Sequence, residues 1–278
     1  MTDTLEKTVT CAESTTAVEL LASATDLSKS TIKSAMTAGA VWTRKGSKTL
    51  RLRRAKAMLQ PGEQISLYYS EKILADTPIA PSLIIDNQYY SVWNKPAGLM
   101  SSGSRFGDHC AINRVIEKML DRPVFLVHRL DRFARGIMVV AHNKRCAAAL
   151  SKQFHDRTIK KIYEAIVTGS LDSPTQITES LDGKDAITKI EAIDHDDRHT
   201  LLRVEILTGR KHQIRRHLAG IGLPILGDRQ YGDSHLPQLQ LASVSLAFGC
   251  PNTDERVTFD LPIEDHPHLS DLQAVPNS

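Results

Sequence analysis

The chain has 278 residues, 41% of them hydrophobic, and a formal net charge of +3. That length and apolar share support one large domain or two unequal ones around a sizeable core, and exclude global disorder. No apolar run is long enough to span a bilayer, Met1 to Lys7 holds no apolar signal core, and Cys11, Cys110, Cys146 and Cys250 form no C-x-x-C pair, so we expect a cytoplasmic protein with neither a disulfide framework nor a zinc site.

The charge is unevenly spread. No acid stands between Leu27 and Gly62, a window that holds Lys29, Lys33, Arg44, Lys45, Lys48, Arg51, Arg53, Arg54 and Lys56. Residues 1–75 carry eleven Lys and Arg against seven acids, a balance of +4 that leaves the remainder near −1. A basic block on a near-neutral body is the footprint of a polyanion-binding module, with a solvated basic face as the plain alternative. Thr15 to Ala24 predicts a helix with Val18, Leu20 and Leu21 on one face. Ser28 is placed to cap a second helix, Lys29 to Ala38, with Ile32, Ala35 and Met36 inward and Gly39 closing it. A strand at Val41 to Thr43, turns at Lys45-Gly46-Ser47 and Pro61-Gly62, and a strand at Gln64 to Tyr69 follow.

This order, with Leu-Ser-Lys-Ser-Thr-Ile-Lys, Gly-Ala-Val and Pro-Gly-Glu-Gln-Ile at the matching places, resembles the S-four-like RNA-binding domain. We assign it residues 1–74 and expect Lys33, Arg51, Arg53 and Arg54 to neutralise phosphates without reading base identity. Residues 75–82, with Pro78 and Pro81, read as a linker.

Leu83 to Trp93 predicts two strands about an Asp-Asn turn. In the loop Asn94-Lys95-Pro96-Ala97-Gly98, Lys95 either faces a phosphate or caps the strand end. Asp108 to Leu120 predicts a helix with Ile112, Val115, Ile116, Met119 and Leu120 as its apolar set. The stretch Leu126 to Gly136 then joins two apolar segments and sets one acid, Asp131, among Arg129, Arg132 and Arg135. Fixed positive charges keep such an acid ionised, which suits a nucleophile better than a general acid. Alone it reads equally as an ion-paired loop residue. Ile137 to Ala141 predicts a buried strand, Asn143 caps a helix from Lys144 to Phe154, and Lys160 to Gly169 alternates as a strand. Tyr163 on that strand reads as core, or as a stacking surface if an unstacked base is handled.

The second dense stretch begins at Thr208-Gly209-Arg210. A helix is expected from about Lys211, with His212, Arg215 and Arg216 converging on one face and Ile214, Leu218 and Ile221 inward. Such a cluster suits phosphate, and one arginine can pair with a buried acid. His212 and His217 are spaced i, i+5, poor for a shared metal.

Three ordered segments together resemble the RluA-type pseudouridine synthases. They are His128-Arg129-Leu130-Asp131 with Gly136 and its apolar strand, Lys161-Ile162-Tyr163, and the Thr-Gly-Arg-x-His-Gln-Ile-Arg pattern running from Thr208 to Gly232. The resemblance covers Ile84 to about His266. It implies an α+β fold: a mixed, mainly antiparallel central sheet with flanking helices over residues 83–278, beside the small α/β N-terminal RNA-binding domain. It implies isomerisation of uridine in RNA, with the target nucleotide flipped out. Asp131 would attack the sugar or the uracil ring, Tyr163 would stack on the base, and Arg215 would hold Asp131. Arg129 would enter the gap left by the flipped base, and Arg132, Arg210 and His212 would contact RNA. No metal or organic cofactor is implied. The expected partner is RNA, ribosomal first and transfer RNA second, and the chain is expected to act as a monomer.

Two places depart from the family pattern. Phe133-Ala134-Arg135 replaces acid-Thr-Ser, and Leu241-Ala242-Ser243 replaces Leu-His-Ala. A bulky ring and an extra cation beside the nucleophile point to a different RNA loop. The competing readings are an RNA-binding assembly factor on the same fold, and a nucleosidase, which needs a second positioned carboxylate. Asp228, in a Gly-Asp turn, reads as structural.

Overall fold

The computed structural model describes residues 4–232 and 236–274. The chain forms two compact units: Met1–Ile79 with Ser102–Lys118, and Ala80–Ser101 with Met119–Ser278.

The first unit contains β1 (Thr4–Thr10), β2 (Thr15–Thr16), α1 (Ala17–Ala24), α2 (Lys29–Thr37), β3 (Val41–Lys45), β4 (Lys48–Arg51), β5 (Met58–Leu59), β6 (Gln64–Ser70) and α3 (Glu71–Ala75). Its four-stranded antiparallel sheet runs β1-β6-β3-β4, and β2 pairs with β5. Ser28 caps α2 by accepting from the Thr31 amide at 3.1 Å, and Gly39 closes that helix with a φ of +84° that only glycine adopts freely. Val18 and Leu21 of α1 pack with Ile32 and Met36 of α2 on Ile65 and Leu67 of β6. The edge strand β1 escapes a periodicity reading. Lys7 falls between Leu5 and Val9, and charged residues are what a free edge tolerates.

The boundary expected from the sequence, which kept 83–278 together, differs from these units. Residues 102–118 group with the N-terminal unit, and the reason is electrostatic. Asp108 accepts from Arg51 at 3.1 Å and from Arg53 at 2.5 Å. Arg51 also donates to the Ser104 carbonyl at 2.7 Å and Arg53 to the Thr37 carbonyl at 3.1 Å. The Trp42 indole donates to the Arg105 carbonyl at 2.9 Å. Asp108 being so committed, the following helix α4 (Ile112–Leu120) starts later than expected; it buries Ile112 and Ile116 and leaves Met119 exposed.

The second unit is built on a ten-stranded sheet. Its strands are β7 (Ser82–Asp86), β8 (Tyr90–Lys95), β9 (Phe125–Leu126), β10 (Arg135–Ala141), β11 (Lys160–Thr168), β12 (Thr175–Ile177), β13 (Thr188–His195), β14 (His199–Ile206), β15 (Leu241–Gly249) and β16 (Arg256–Asp260). The order is β12-β13-β14-β11-β15-β10-β8-β7, with β16 added to β15 and β9 to β10. Among the described strands only the β10–β15 pairing is parallel, so the fold is α+β with a mainly antiparallel sheet, as expected. Helix α5 (Lys144–His155), capped by Asn143, buries Cys146 and Leu150 against Ile137, Val139, Val244 and Phe248. Helix α6 (Gln213–Gly220) lies against β13.

Strand register positions the site. Gly136 pairs with Lys95 on one side and Ser243 on the other, and Ser243 pairs with Tyr163 after a register shift between Ile162 and Tyr163. Directly paired residues project to the same face, so Lys95, Ser243 and Tyr163 form a row across four strands. Gly136 is needed in that row. Its φ is +107°, and a Cβ there would lie 2.2 Å from the Ser243 carbonyl oxygen.

Candidate active site

Asp131 stands on the loop between β9 and β10, and that loop is held from below. Lys95, fully buried, donates from Nζ to the carbonyls of Pro96 (3.0 Å), Leu99 (2.8 Å) and Arg132 (3.1 Å). The Gly98 amide donates to the same Arg132 carbonyl at 2.8 Å. Ser101 Oγ donates to the Leu130 carbonyl at 2.6 Å and accepts from the Leu130 amide at 3.0 Å. Lys95 therefore neither faces a phosphate nor caps a strand. It ties two loops together, and burial pushes its pKa down to about 7 against the opposing pull of Asp131.

His128 of the same motif is a structural acceptor. Its Nε2 accepts from the Val139 amide at 3.0 Å while the ring stacks on Phe154 at 4.5 Å. Desolvation pushes its pKa down to about 3, so the ring is neutral.

Arg215 comes from α6. It grips Asp228 with two hydrogen bonds of 2.7 Å and reaches Asp131 at 3.4 Å. Asp228 is 1% exposed and also accepts from the amides of Gln230 (3.0 Å) and Tyr231 (3.1 Å). Burial alone would raise its pKa; Arg215 and those amides outweigh it and hold the carboxyl below the usual range. Asp228 therefore has a larger part than the turn residue expected from sequence, since it saturates the guanidinium fork. One guanidinium faces two carboxylates, and Asp131 is the one left with lone pairs to spend.

Tyr163 is buried, and its phenol is pushed up by desolvation and then by the negative charge of Asp131, so its O–H stays protonated. His212 completes the rim, with Nε2 at 3.9 Å from Asp131 and Nδ1 at 3.0 Å from the Tyr231 hydroxyl. Burial lowers its pKa.

The convergence expected of His212, Arg215 and Arg216 does not occur. His212 adopts a left-handed φ of +53° and precedes the helix, which starts at Gln213. Arg215 then turns inward, Arg216 turns out to Asp182 at 2.9 Å, and Ile221 is 41% exposed. Arg210 donates to the Asp185 carbonyl at 2.9 Å. Arg129 and Arg132 are exposed. Arg135 does not join Asp131. It pairs in register with Ala242, and Ala242 with Glu164, so its row lies on the opposite face from Tyr163. There it donates to the Asp265 carbonyl at 3.1 Å, beside a His266–Glu164 contact of 2.8 Å. Sequence reasoning weighs Lys95 only as a phosphate contact or a strand cap, meets Ser243 only as a departure from the family pattern, and gives Tyr231 no role; the strand pairings and loop contacts that place them are not local signals. Asp228 stands in the Gly-Asp turn that reads as structural, and its pairing with Arg215 is not readable from sequence.

Among the described residues no three His, Cys, Asp or Glu side chains are grouped to hold a metal ion, and no helix is long and apolar enough to cross a membrane.

A family model described as RNA pseudouridylate synthase matches residues 89–220, which include Asp131, Tyr163 and Arg215. The dual-specificity RNA pseudouridine synthase RluA of Haemophilus influenzae is 34% identical over 209 residues, covering 66% of this chain and 94% of the relative. The ribosomal large subunit pseudouridine synthase C of Vibrio parahaemolyticus is 29% identical over 208 residues, 66% of this chain and 65% of the relative. Of two Mycoplasma relatives the chain spans 65% and 54% of the length. The solved structure of human RNA pseudouridylate synthase domain containing 1 shares the fold, with a TM-score of 0.59 and 21% identity over 73% of this chain and all of that one. The chain belongs to the RluA-type RNA pseudouridine synthase family.

Proposed function

We propose that this chain isomerises uridine to pseudouridine in RNA with Asp131 as the nucleophile, and that its target lies in large-subunit ribosomal RNA. The carrying observation is the division of Arg215 between two carboxylates. Its short bonds go to Asp228, and Asp131, beside Tyr163, takes only the longer 3.4 Å contact and keeps lone pairs free. The target nucleotide is flipped out and its uracil stacks on Tyr163. Asp131 bonds to the nucleotide, the bond between N1 and C1′ breaks, the base turns in place, C5 bonds to C1′, and the bond to Asp131 is broken so that the free carboxylate is regenerated. The proton lost from C5 is balanced by one gained at N1, so no co-reactant is consumed. Arg129, Arg132 and His212 line the approach for the RNA strand, with Arg210 behind them.

The first unit is read as the RNA-binding domain, through the exposed Lys33 and Arg54. The ribosomal target rests on the Vibrio relative named for the large subunit. Carbodiimide mapping by primer extension, with and without this gene, identifies the site. Loss of a stop from large-subunit ribosomal RNA is expected; loss only from transfer RNA would overturn that assignment. Purified protein should convert uridine in total RNA, and Asp131→Asn should abolish conversion while retaining RNA binding. Release of free uracil would instead make the protein a nucleosidase.

A further inference from the structure

Phe133 stands two residues beyond Asp131 and is 51% exposed. An exposed ring on a loose loop would mean little, but this loop is fixed on both sides. Upstream, Leu130 and Arg132 are held by Ser101, Gly98 and Lys95. Downstream, Ala134 is 2% exposed and β10 begins at Arg135. Arg132 is itself anchored through Nε to the Gly98 carbonyl at 3.0 Å, and its guanidinium carbon lies 5.5 Å from the Phe133 ring centroid. The ring is therefore held in water by its backbone, with a cation against it. Arg129, also exposed, adds a second cation to the same loop. Arg135 is withdrawn to Asp265 and does not crowd the ring.

An aromatic face flanked by cations on a rigid rim is the chemistry that binds unstacked nucleobases irrespective of their identity. Two residues of chain span at most about 7 Å, so the ring can meet only a nucleotide close to the one that Asp131 attacks. We propose that Phe133, backed by Arg132, is a stacking platform for an unpaired base flanking the target uridine. It selects uridines whose neighbour is free to unstack, and the inference rests on Asp131 being the nucleophile.

The test uses a stem-loop RNA carrying the uridine found by pseudouridine mapping, with 2-aminopurine at the loop position on either side of it. Wild type should quench the probe at one of the two positions. Phe133→Ala should lose that quenching and lower kcat/KM by roughly 5- to 100-fold, mostly through KM. Phe133→Tyr should restore both, and Phe133→Leu should not. Quenching and KM unchanged in Phe133→Ala, full rescue by leucine, or a loss confined to kcat would each overturn the platform. Asp131→Asn separates the two ideas. It should quench like wild type without converting uridine, whereas an Asp131→Asn protein that quenches and still converts would refute the nucleophile, and one that neither quenches nor converts would refute the platform.

Discussion

Arg215 gives Asp228 two hydrogen bonds of 2.7 Å and reaches Asp131 only at 3.4 Å. Removing the charge from Asp228 frees the fork to swing onto Asp131. Asp228→Asn is therefore expected to lose stability, by about 3–5 kcal/mol for a broken buried pair. Conversion should fall by more than the unfolded fraction explains. Arg215→Lys, a point charge that cannot serve both carboxylates, should cost about 100-fold in kcat. Urea melts beside single-turnover conversion measure both, and a wild-type melt for Asp228→Asn would refute the arrangement.

Lys95 makes stability depend on pH in a calculable direction. Its folded pKa is about 7 against an ordinary 10.5. Between those values the unfolded chain binds the extra proton, so this group's contribution to stability rises with pH across that window and is flat below it. The difference in unfolding free energy between wild type and Lys95→Met should climb from pH 7 to 10.5, by at most about 1.4 kcal/mol per pH unit. The variant also leaves three carbonyls short of a donor and loosens the Asp131 loop, so kcat should drop by about 100-fold. A pH-independent difference would show that the amine is solvated.

Gly136→Ala tests the close contact between β10, which follows the Asp131 loop, and β15, which separates β10 from the Tyr163 strand β11. The added methyl would meet the Ser243 backbone at 2.2 Å in a φ of +107°. Overpacking of this kind costs about 1–3 kcal/mol or more, and separating β10 from β15 moves Asp131 away from Tyr163. We expect a lowered Tm with activity lost even at low temperature, where the protein is folded. Full activity in folded variant would show that the parallel pairing is dispensable.

The basic residues Lys33, Arg51, Arg53 and Arg54 of the first unit divide into two kinds. Arg51 and Arg53 are engaged by Asp108, whereas Lys33 and Arg54 are exposed. Lys33→Ala and Arg54→Ala should each flatten the plot of log affinity for RNA against log salt by roughly 0.7 to 0.9. Arg51→Ala should instead lower thermal stability by about 1–3 kcal/mol, since Asp108 already has one oxygen without a partner. The opposite pattern, a changed salt slope for Arg51→Ala and none for Arg54→Ala, would reverse the assignment.

Local signals made much of the fold legible. The cap at Ser28, the glycine at 39, the cap at Asn143 and the apolar run of β10 are all short-range patterns, and each element formed close to its expected place. The lysine inside β1 hid an edge strand. The left-handed His212 delayed α6 and rotated its cations onto separate partners, which no periodicity in the sequence reveals.

By itself the sequence carried the family and singled out Asp131, Tyr163 and Arg215 as candidates, because their motifs are contiguous and ordered. Which carboxylate takes the arginine's two donors was decided only by the tertiary structure. Asp228 is 13 residues from Arg215 and Asp131 is 84. Both lie within reach of one guanidinium, and hydrogen-bond geometry gives the fork to one of them. The same holds for Arg135, which sits four residues from Asp131 and yet serves the other face. Strand pairing sends alternate residues to opposite sides of the sheet, and that alternation separates the Tyr163 row from the Arg135 row.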